Sequence, residues 1–256
     1  MDCATVDAIV LAAPAITPQF LIGLLVRAPL IFLALTVHEF FHAYSADKMG
    51  DPTGRNQGRL TLNPMAHLDP IGTICLFVGP LGWARPVPIN PINFANPARG
   101  MFISAAAGPL SNLGLALIAG LLLRLTAALG WDESRALAAA ESDAAGFSVW
   151  ASAALVMFLQ MNIGLFLFNL IPLYPLDGHH IVRESLRGEA RQRYEETQHL
   201  GSYVLLALIL LPALLNTSSI LWTFLGPPAE RLMRLFAGES GLDAGRLCLR
   251  LLSPYF

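Results

Sequence analysis

The chain has 256 residues, 55% of them hydrophobic and only 13% charged, with a mean hydropathy of +0.56. An ordinary soluble domain is about 25% charged, so the charge deficit and the long apolar runs put this chain in the membrane class. A formal net charge of −2 and the lack of a Gly-rich phosphate loop exclude nucleic-acid and nucleotide partners.

The N-terminal stretch MDCATVDAIVLAAPAIT carries two acids and no Lys or Arg, so no cleaved secretory signal is read there. Four stretches are long enough to cross about 30 Å of hydrocarbon as helix. They cover residues 20 to 48, 99 to 129, 147 to 171 and 201 to 215; the first contains Arg27, and the last, the shortest, contains Pro212. Residues 71 to 83, IGTICLFVGPLGW, are too short and too rich in Gly and Pro for a simple span, which predicts a re-entrant segment. Beyond the fourth stretch, SSILWTFLGPPAERLMRLFAG is either a short span broken at Pro227–Pro228 or an amphipathic helix in the interface. Cys3, Cys75 and Cys248 stand far apart, in no metal-ligand or redox spacing. With no internal repeat and no linker to a soluble domain, residues 1 to 256 read as one integral-membrane unit. Its core lies at 20 to 190, and its C-terminal helices at 200 to 256.

The loops give an orientation. Lys48, Arg55, Arg59, Arg85 and Arg99 cluster in one loop, and Arg183, Arg187, Arg191 and Arg193 in another. The loop between residues 130 and 146 has Arg135 against Asp132, Glu133, Glu141 and Asp143. The positive-inside rule makes the first two cytoplasmic. The excess of Arg over Lys and the abundant Ala point to a GC-rich bacterial source and hence to a cell (inner) membrane.

At the cytoplasmic end of the first stretch stands LALTVHEFFHAYSADKMG, residues 33 to 50. Ionisable groups at membrane depth are expensive and persist where they pair, bind or react. His38 and His42 are one helical turn apart on one face, so both imidazoles can reach one ion, and Glu39 can lie beside a water there. This is the spacing of a zinc hydrolase helix. A catalytic zinc takes three protein ligands and keeps an open position. In FNLIPLYPLDGHH, Asp177 is a candidate third ligand on irregular backbone after the third span; equally, it is a candidate N-cap for the next helix. His179 and His180 are rival ligands by residue type. Asp47, His67 and Asp69 either line a water path or are solvated at the interface. GRLTLNP, residues 58 to 64, alternates Leu60 and Leu62 with polar neighbours. It predicts a short strand at the cytoplasmic interface, able to pair with an unwound substrate or packed within its own hairpin.

HEFFH, GPLSN at 108 to 112 and NLIPLYPLDG at 169 to 178 together resemble the three motif regions of the intramembrane site-two metalloproteases. GRLTLNPMAHLDPIG and GWARPVPINP resemble the small bacterial branch, and no run between the spans is long enough for a PDZ domain. His179 departs from the family, which commonly has a second glycine after the DG pair. The resemblance implies one Zn2+ per chain on His38, His42 and Asp177, Glu39 as catalytic base, and Asn169 near the substrate backbone or developing oxyanion. It implies close helix packing through Gly108, Pro109 and Asn112. The expected fold is an all-α polytopic membrane protein of about four to six transmembrane helices, with a re-entrant segment and a short β-hairpin near the cytoplasmic interface. The expected function is zinc-dependent hydrolysis of a peptide bond in or near a transmembrane helix of another membrane protein, in the lipid bilayer. The alternatives are a non-catalytic membrane metal protein and a metal transporter.

Overall fold

The computed structural model describes residues 18–78, 82–141, 147–215 and 217–252. The helices in chain order are α1 (Pro18–Lys48), α2 (Thr53–Asn56), α3 (Pro70–Val78), α4 (Pro97–Ala128), α5 (Glu133–Glu141), α6 (Phe147–Asn169), α7 (Asp177–Ser185), α8 (Gly188–Leu214) and α9 (Ile220–Leu251). By length and composition, three are able to cross a membrane: Leu21–Lys48, Pro97–Ala128 and Phe147–Asn169. In hydrocarbon a helix satisfies its own backbone, which is why these apolar runs take that form. α1 ends where Gly50 adopts φ +109°, a conformation open to glycine, and Asp51 N–H closes onto Ala46 O at 2.9 Å. α4 starts at Asn96, whose side chain caps Arg99 N, with Pro97 in the first turn.

α4 is the centre of the molecule and packs against α1, α6, α7 and α9. The shared core includes Ala34, Ala116, Ala119, Leu123, Val156, Leu159, Ile163, Ala229 and Met233. Many of these are small, which lets helices approach closely where water supplies no drive to associate. A Cβ on Gly120 would lie 2.5 Å from Phe236 Cβ, and one on Gly241 2.6 Å from Leu123 O. α9 departs from helical geometry at Gly238 (φ 71°), and its arms fold back so that Arg246 pairs with Glu230 at 2.5 Å. Arg124 of α4 ties down this bend through Phe236 O and Leu235 O.

Several expectations need correcting. The predicted fourth span lies inside α8, whose first half is charged. Its apolar part, residues 201 to 214, reaches about 21 Å at 1.5 Å per residue, short of the hydrocarbon thickness. Among the described residues three helices meet the length and composition of a span, and the expected count of four to six has no further support there. Residues 220 to 237 are not broken at Pro227–Pro228, where the helix continues although each proline lacks the N–H of the helical ladder; the non-helical backbone falls at Gly238. Within the predicted re-entrant stretch α3 forms, and residues 79–81 lie outside the described residues.

The β-hairpin is absent among the described residues, where the single strand-like contact is an isolated bridge between Leu68 and Ala84. Leu60 and Leu62 lie on irregular backbone, with Leu62 60% exposed. Alternation suggested a strand, but Pro64, Pro86 and Pro88 remove ladder donors, and Arg59 takes the carbonyls of Ala66, Arg85 and Pro86.

Candidate metal centre

His38, Glu39 and His42 lie in the last third of α1, each less than a tenth exposed. Asp177 is the first residue of α7 and is brought to them by the irregular segment after α6. Gly178 makes this approach possible, since a Cβ there would lie 2.4 Å from both Leu170 O and Ile171 O. The N-cap position of α7 is Leu176, so Asp177 is not the cap. Its carboxylate points instead at the histidines, with Oδ2 3.1 Å from His38 Nε2 and Oδ1 3.3 Å from His42 Nε2.

The polarity of these contacts is informative. His42 Nδ1 faces the backbone carbonyl of Ser104 at 2.7 Å, and His38 Nδ1 faces Asn112 Oδ1 at 2.6 Å. Both partners accept, so in neutral rings both Nδ1 atoms carry the proton and both Nε2 atoms present lone pairs. The two Nε2 atoms are 3.0 Å apart. Four acceptor atoms thus converge with no proton assigned between them, and Asp177 Oδ2 is buried without a hydrogen-bond partner. Such a group repels itself unless a proton or a metal cation lies in its midst. One donor atom from each of His38, His42 and Asp177 falls within 4.8 Å of the others, a set and spacing suited to a divalent metal. α4 closes the back of the cradle at Gly108, where a Cβ would lie 2.3 Å from His42 Nε2 and 2.8 Å from His38 Nε2.

Glu39 and these three residues line a cavity of about 600 Å³. Glu39 Oε2 accepts from Val87 N–H at 3.0 Å, so the extended segment around residues 83 to 89 lies over Glu39. Asn169 also lines the cavity, donating from Nδ2 to Leu165 O at 3.0 Å. Leu60 and Leu62 do not line it. His180 does, but it is not in the convergent set. Burial, then the charges of Arg183 and neighbouring His179, pull His180 down to about 4, so it is a neutral ring. His179 is buried away from the centre, stacked on Tyr194 with ring centroids 5.1 Å apart. Asp47, His67 and Asp69 are not among the residues lining the cavity; Asp47 pairs with Arg55, His67 bonds Thr61 O, and Asp69 caps Gly72 N.

The sequence reading missed Asn162, Ser104, Asp51 and Arg59. Asn162 carried a legible signal, an amide in the middle of an apolar span. Ser104 acts through its backbone and left none.

The profile of peptidase family M50 matches residues 90–212. A Bacillus subtilis protein named "Putative zinc metalloprotease YwhC" is 39% identical over 207 residues, covering 81% of this chain and 89% of the relative. The chain belongs to peptidase family M50, the site-2 proteases. Proteins of the same designation named Rip2 are also similar: 29% identical in Mycolicibacterium smegmatis, over 80% of this chain and 74% of the relative, and 32% in Mycobacterium tuberculosis, over 71% and 65%. No solved structure matches. As an M50 member the chain is a membrane-spanning zinc metalloprotease. The matched region holds Gly108, Asn112 and Asp177, while the paired histidines precede it.

Proposed function

We propose that the chain is an intramembrane endopeptidase that cuts a peptide bond in or near a transmembrane helix of another membrane protein. His38, His42 and Asp177 hold one zinc per chain, and Glu39 is the catalytic base. The observation that carries this reading is the convergence of four acceptor atoms, at 3.0 to 3.3 Å, beside a buried carboxylate in a cavity. Bound zinc supplies Lewis-acid activation of water and of the scissile carbonyl.

The chain's own groups do the rest. Glu39, steadied by Val87 N–H, takes the proton of the attacking water and delivers it to the leaving amine. One N–H of the Asn169 amide is engaged by Leu165 O, and the other is free to donate to the carbonyl oxygen as charge develops there. A substrate helix offers no free backbone until it unwinds, which Gly, Pro or Asn in the substrate eases. The basic residues Lys48, Arg55 and Arg59 follow the paired histidines closely, and Arg183, Arg187, Arg191 and Arg193 follow Asp177, which supports a site that faces the cytoplasm. A membrane-anchored regulator released there, as in regulated intramembrane proteolysis, fits this position.

The test measures zinc content and cleavage of a reporter transmembrane substrate for the wild type, Glu39→Gln and Asp177→Ala. About one zinc per chain is expected in the wild type and in Glu39→Gln, with cleavage down about 10²–10⁴-fold in the latter. Asp177→Ala is expected to lose both. Cleavage surviving Glu39→Gln, or full zinc content in Asp177→Ala, overturns the assignment.

A further inference from the structure

Asn112 on α4 and Asn162 on α6 are both 0% exposed, and neither lines the cavity, so neither touches a substrate. A buried amide is costly unless its donors and acceptors are matched. Here they are matched in one polarity. Phe158 O can only accept, so Asn162 Nδ2 faces it at 2.9 Å. That turns Asn162 Oδ1 toward Asn112, whose Nδ2 donates to it at 2.9 Å and to Ala34 O at 3.3 Å. Asn112 Oδ1 is then the atom that accepts from His38 Nδ1 at 2.6 Å. An imidazole protonated on Nδ1 offers its lone pair at Nε2, the atom beside Asp177. Turning any one amide over would set acceptor against acceptor, or donor against donor.

We propose that Asn162 is a positioning residue which, acting through Asn112, holds His38 in the Nδ1–H tautomer with Nε2 presented to zinc. The inference rests on the reading of His38 as a zinc ligand. The two histidines differ in how this is done. His42 is oriented by a backbone carbonyl, Ser104 O, which cannot turn round. His38 is oriented by a side-chain amide, which can, and Asn162 stops it. Amides also suit the charge balance. Asp177 and Glu39 already match the two charges of zinc, and a carboxylate at position 112 would be a buried charge with no counter-ion. Outer-shell partners of this kind set ligand orientation and typically govern about 10–100-fold in metal affinity. A bond that merely holds α4 to α6 would behave differently, because its loss would not depend on Asn112.

Zinc affinity is measured by chelator competition on the detergent-purified full chain. The variants are His38→Ala, Asn112→Leu, Asn162→Leu and the double Asn112→Leu/Asn162→Leu. His38→Ala is expected to lose zinc, and Asn112→Leu to bind it about 10–100-fold more weakly. Asn162→Leu is expected to weaken zinc in the wild-type background and to add nothing in the Asn112→Leu background. Equal losses in both backgrounds mean packing and overturn the inference. Unchanged affinity in Asn162→Leu, with zinc lost in His38→Ala, overturns it while leaving the ligand assignment standing. Zinc kept in His38→Ala overturns both. If Asn112→Leu does not fold, histidine ¹⁵N NMR of zinc-loaded Asn162→Leu decides. More than one His38 environment supports the proposal, and a single signal unchanged from wild type overturns it.

Discussion

Two buried polar clusters begin on either side of the end of α1, one at His38 and His42 and the other at Asp51 and Arg59, and they differ in one respect. Asp51, 0% exposed, is surrounded by donors: Thr53 N at 3.1 Å, Thr53 Oγ1 at 2.5 Å, Asn90 N at 2.7 Å and Asn93 Nδ2 at 2.6 Å. Arg59, 5% exposed, faces the carbonyls of Ala66, Arg85 and Pro86. There the acceptor meets donors and the donor meets acceptors, and the product is a fixed path for residues 82 to 93. At His38, His42 and Asp177, acceptors meet acceptors. Burial and residue type do not separate these two clusters; hydrogen-bond polarity does. A satisfied cluster is structural, and a convergent, unsatisfied one is built around something the chain does not itself supply.

The sharpest way to break this comparison is Gly108→Ala. A methyl there would lie 2.3 Å from His42 Nε2 and 2.5 Å from its Cε1, in the cradle itself. Alanine is the better helix former by about 1 kcal/mol, so helical content and yield are expected to hold or rise. Displaced ligand atoms are expected to lower cleavage about 10²-fold, as a misplacement of about 1 Å does in a preorganised site, and to weaken zinc. Comparing cleavage, zinc content and thermal unfolding separates these effects. Wild-type zinc and cleavage in Gly108→Ala would mean that α4 does not shape the centre.

Much of the centre was legible in the sequence because short-range chemistry dictates it. His38 and His42 share a helix face by spacing alone. Asp177 was legible as a candidate, but its choice over capping needed Gly178, which seats α7 on the end of α6. His179 and His180 looked equivalent beside it until the fold turned one into a stack with Tyr194. The helices of the spans followed from length and apolar content. The hairpin failed because alternation at Leu60 and Leu62 was read without asking where the prolines at 64, 86 and 88 left the ladder donors. The roles of Asp51 and Arg59 went unread because most of their partners are backbone groups, and those that fix Asp51 to the 90–93 segment lie about forty residues away, which leaves little mark in a local pattern.

A middle-sized effect is expected at Arg59. Arg59→Met keeps the length of the side chain and removes the donors that tie together the half-buried to exposed carbonyls of Ala66, Arg85 and Pro86. Water can take up these carbonyls, so the loss is expected near the net worth of a hydrogen bond to a charged group, about 1.5–3 kcal/mol at most. Zinc content is expected to stay at the wild-type level, because no ligand touches Arg59. Cleavage is expected to fall several-fold, because Val87 N–H then steadies Glu39 less well. Amide exchange across residues 82 to 93 is the direct readout. Unchanged exchange would show that Arg59 is not what fixes the path, and loss of zinc would show that the two clusters are one unit.

The smallest effect, and the one that separates the clusters most cleanly, is their response to acid. Burial alone would raise the Asp51 carboxyl, but the Thr53 hydroxyl, the Asn93 amide and the backbone N–H groups of Asn90 and Thr53 outweigh it and hold it below its ordinary value. A folded value below the unfolded one stabilises the fold fully above the ordinary carboxyl range, about pH 4, and that stabilisation is lost as pH falls through the folded value. Protection of the Asn90 amide, corrected for intrinsic exchange, is therefore expected to be flat from about pH 7 to 5 and to drop only below about 4. Metal held by imidazoles competes with protons for the same lone pairs, so zinc is expected to leave at higher pH, while the path over the cavity is still pinned. In Asp51→Asn the acceptor becomes an amide that must point N–H at one of its donors, so protection is expected to be low and independent of pH. If zinc release and the loss of Asn90 protection follow a single titration, the two clusters are coupled, and polarity alone does not divide structure from function here.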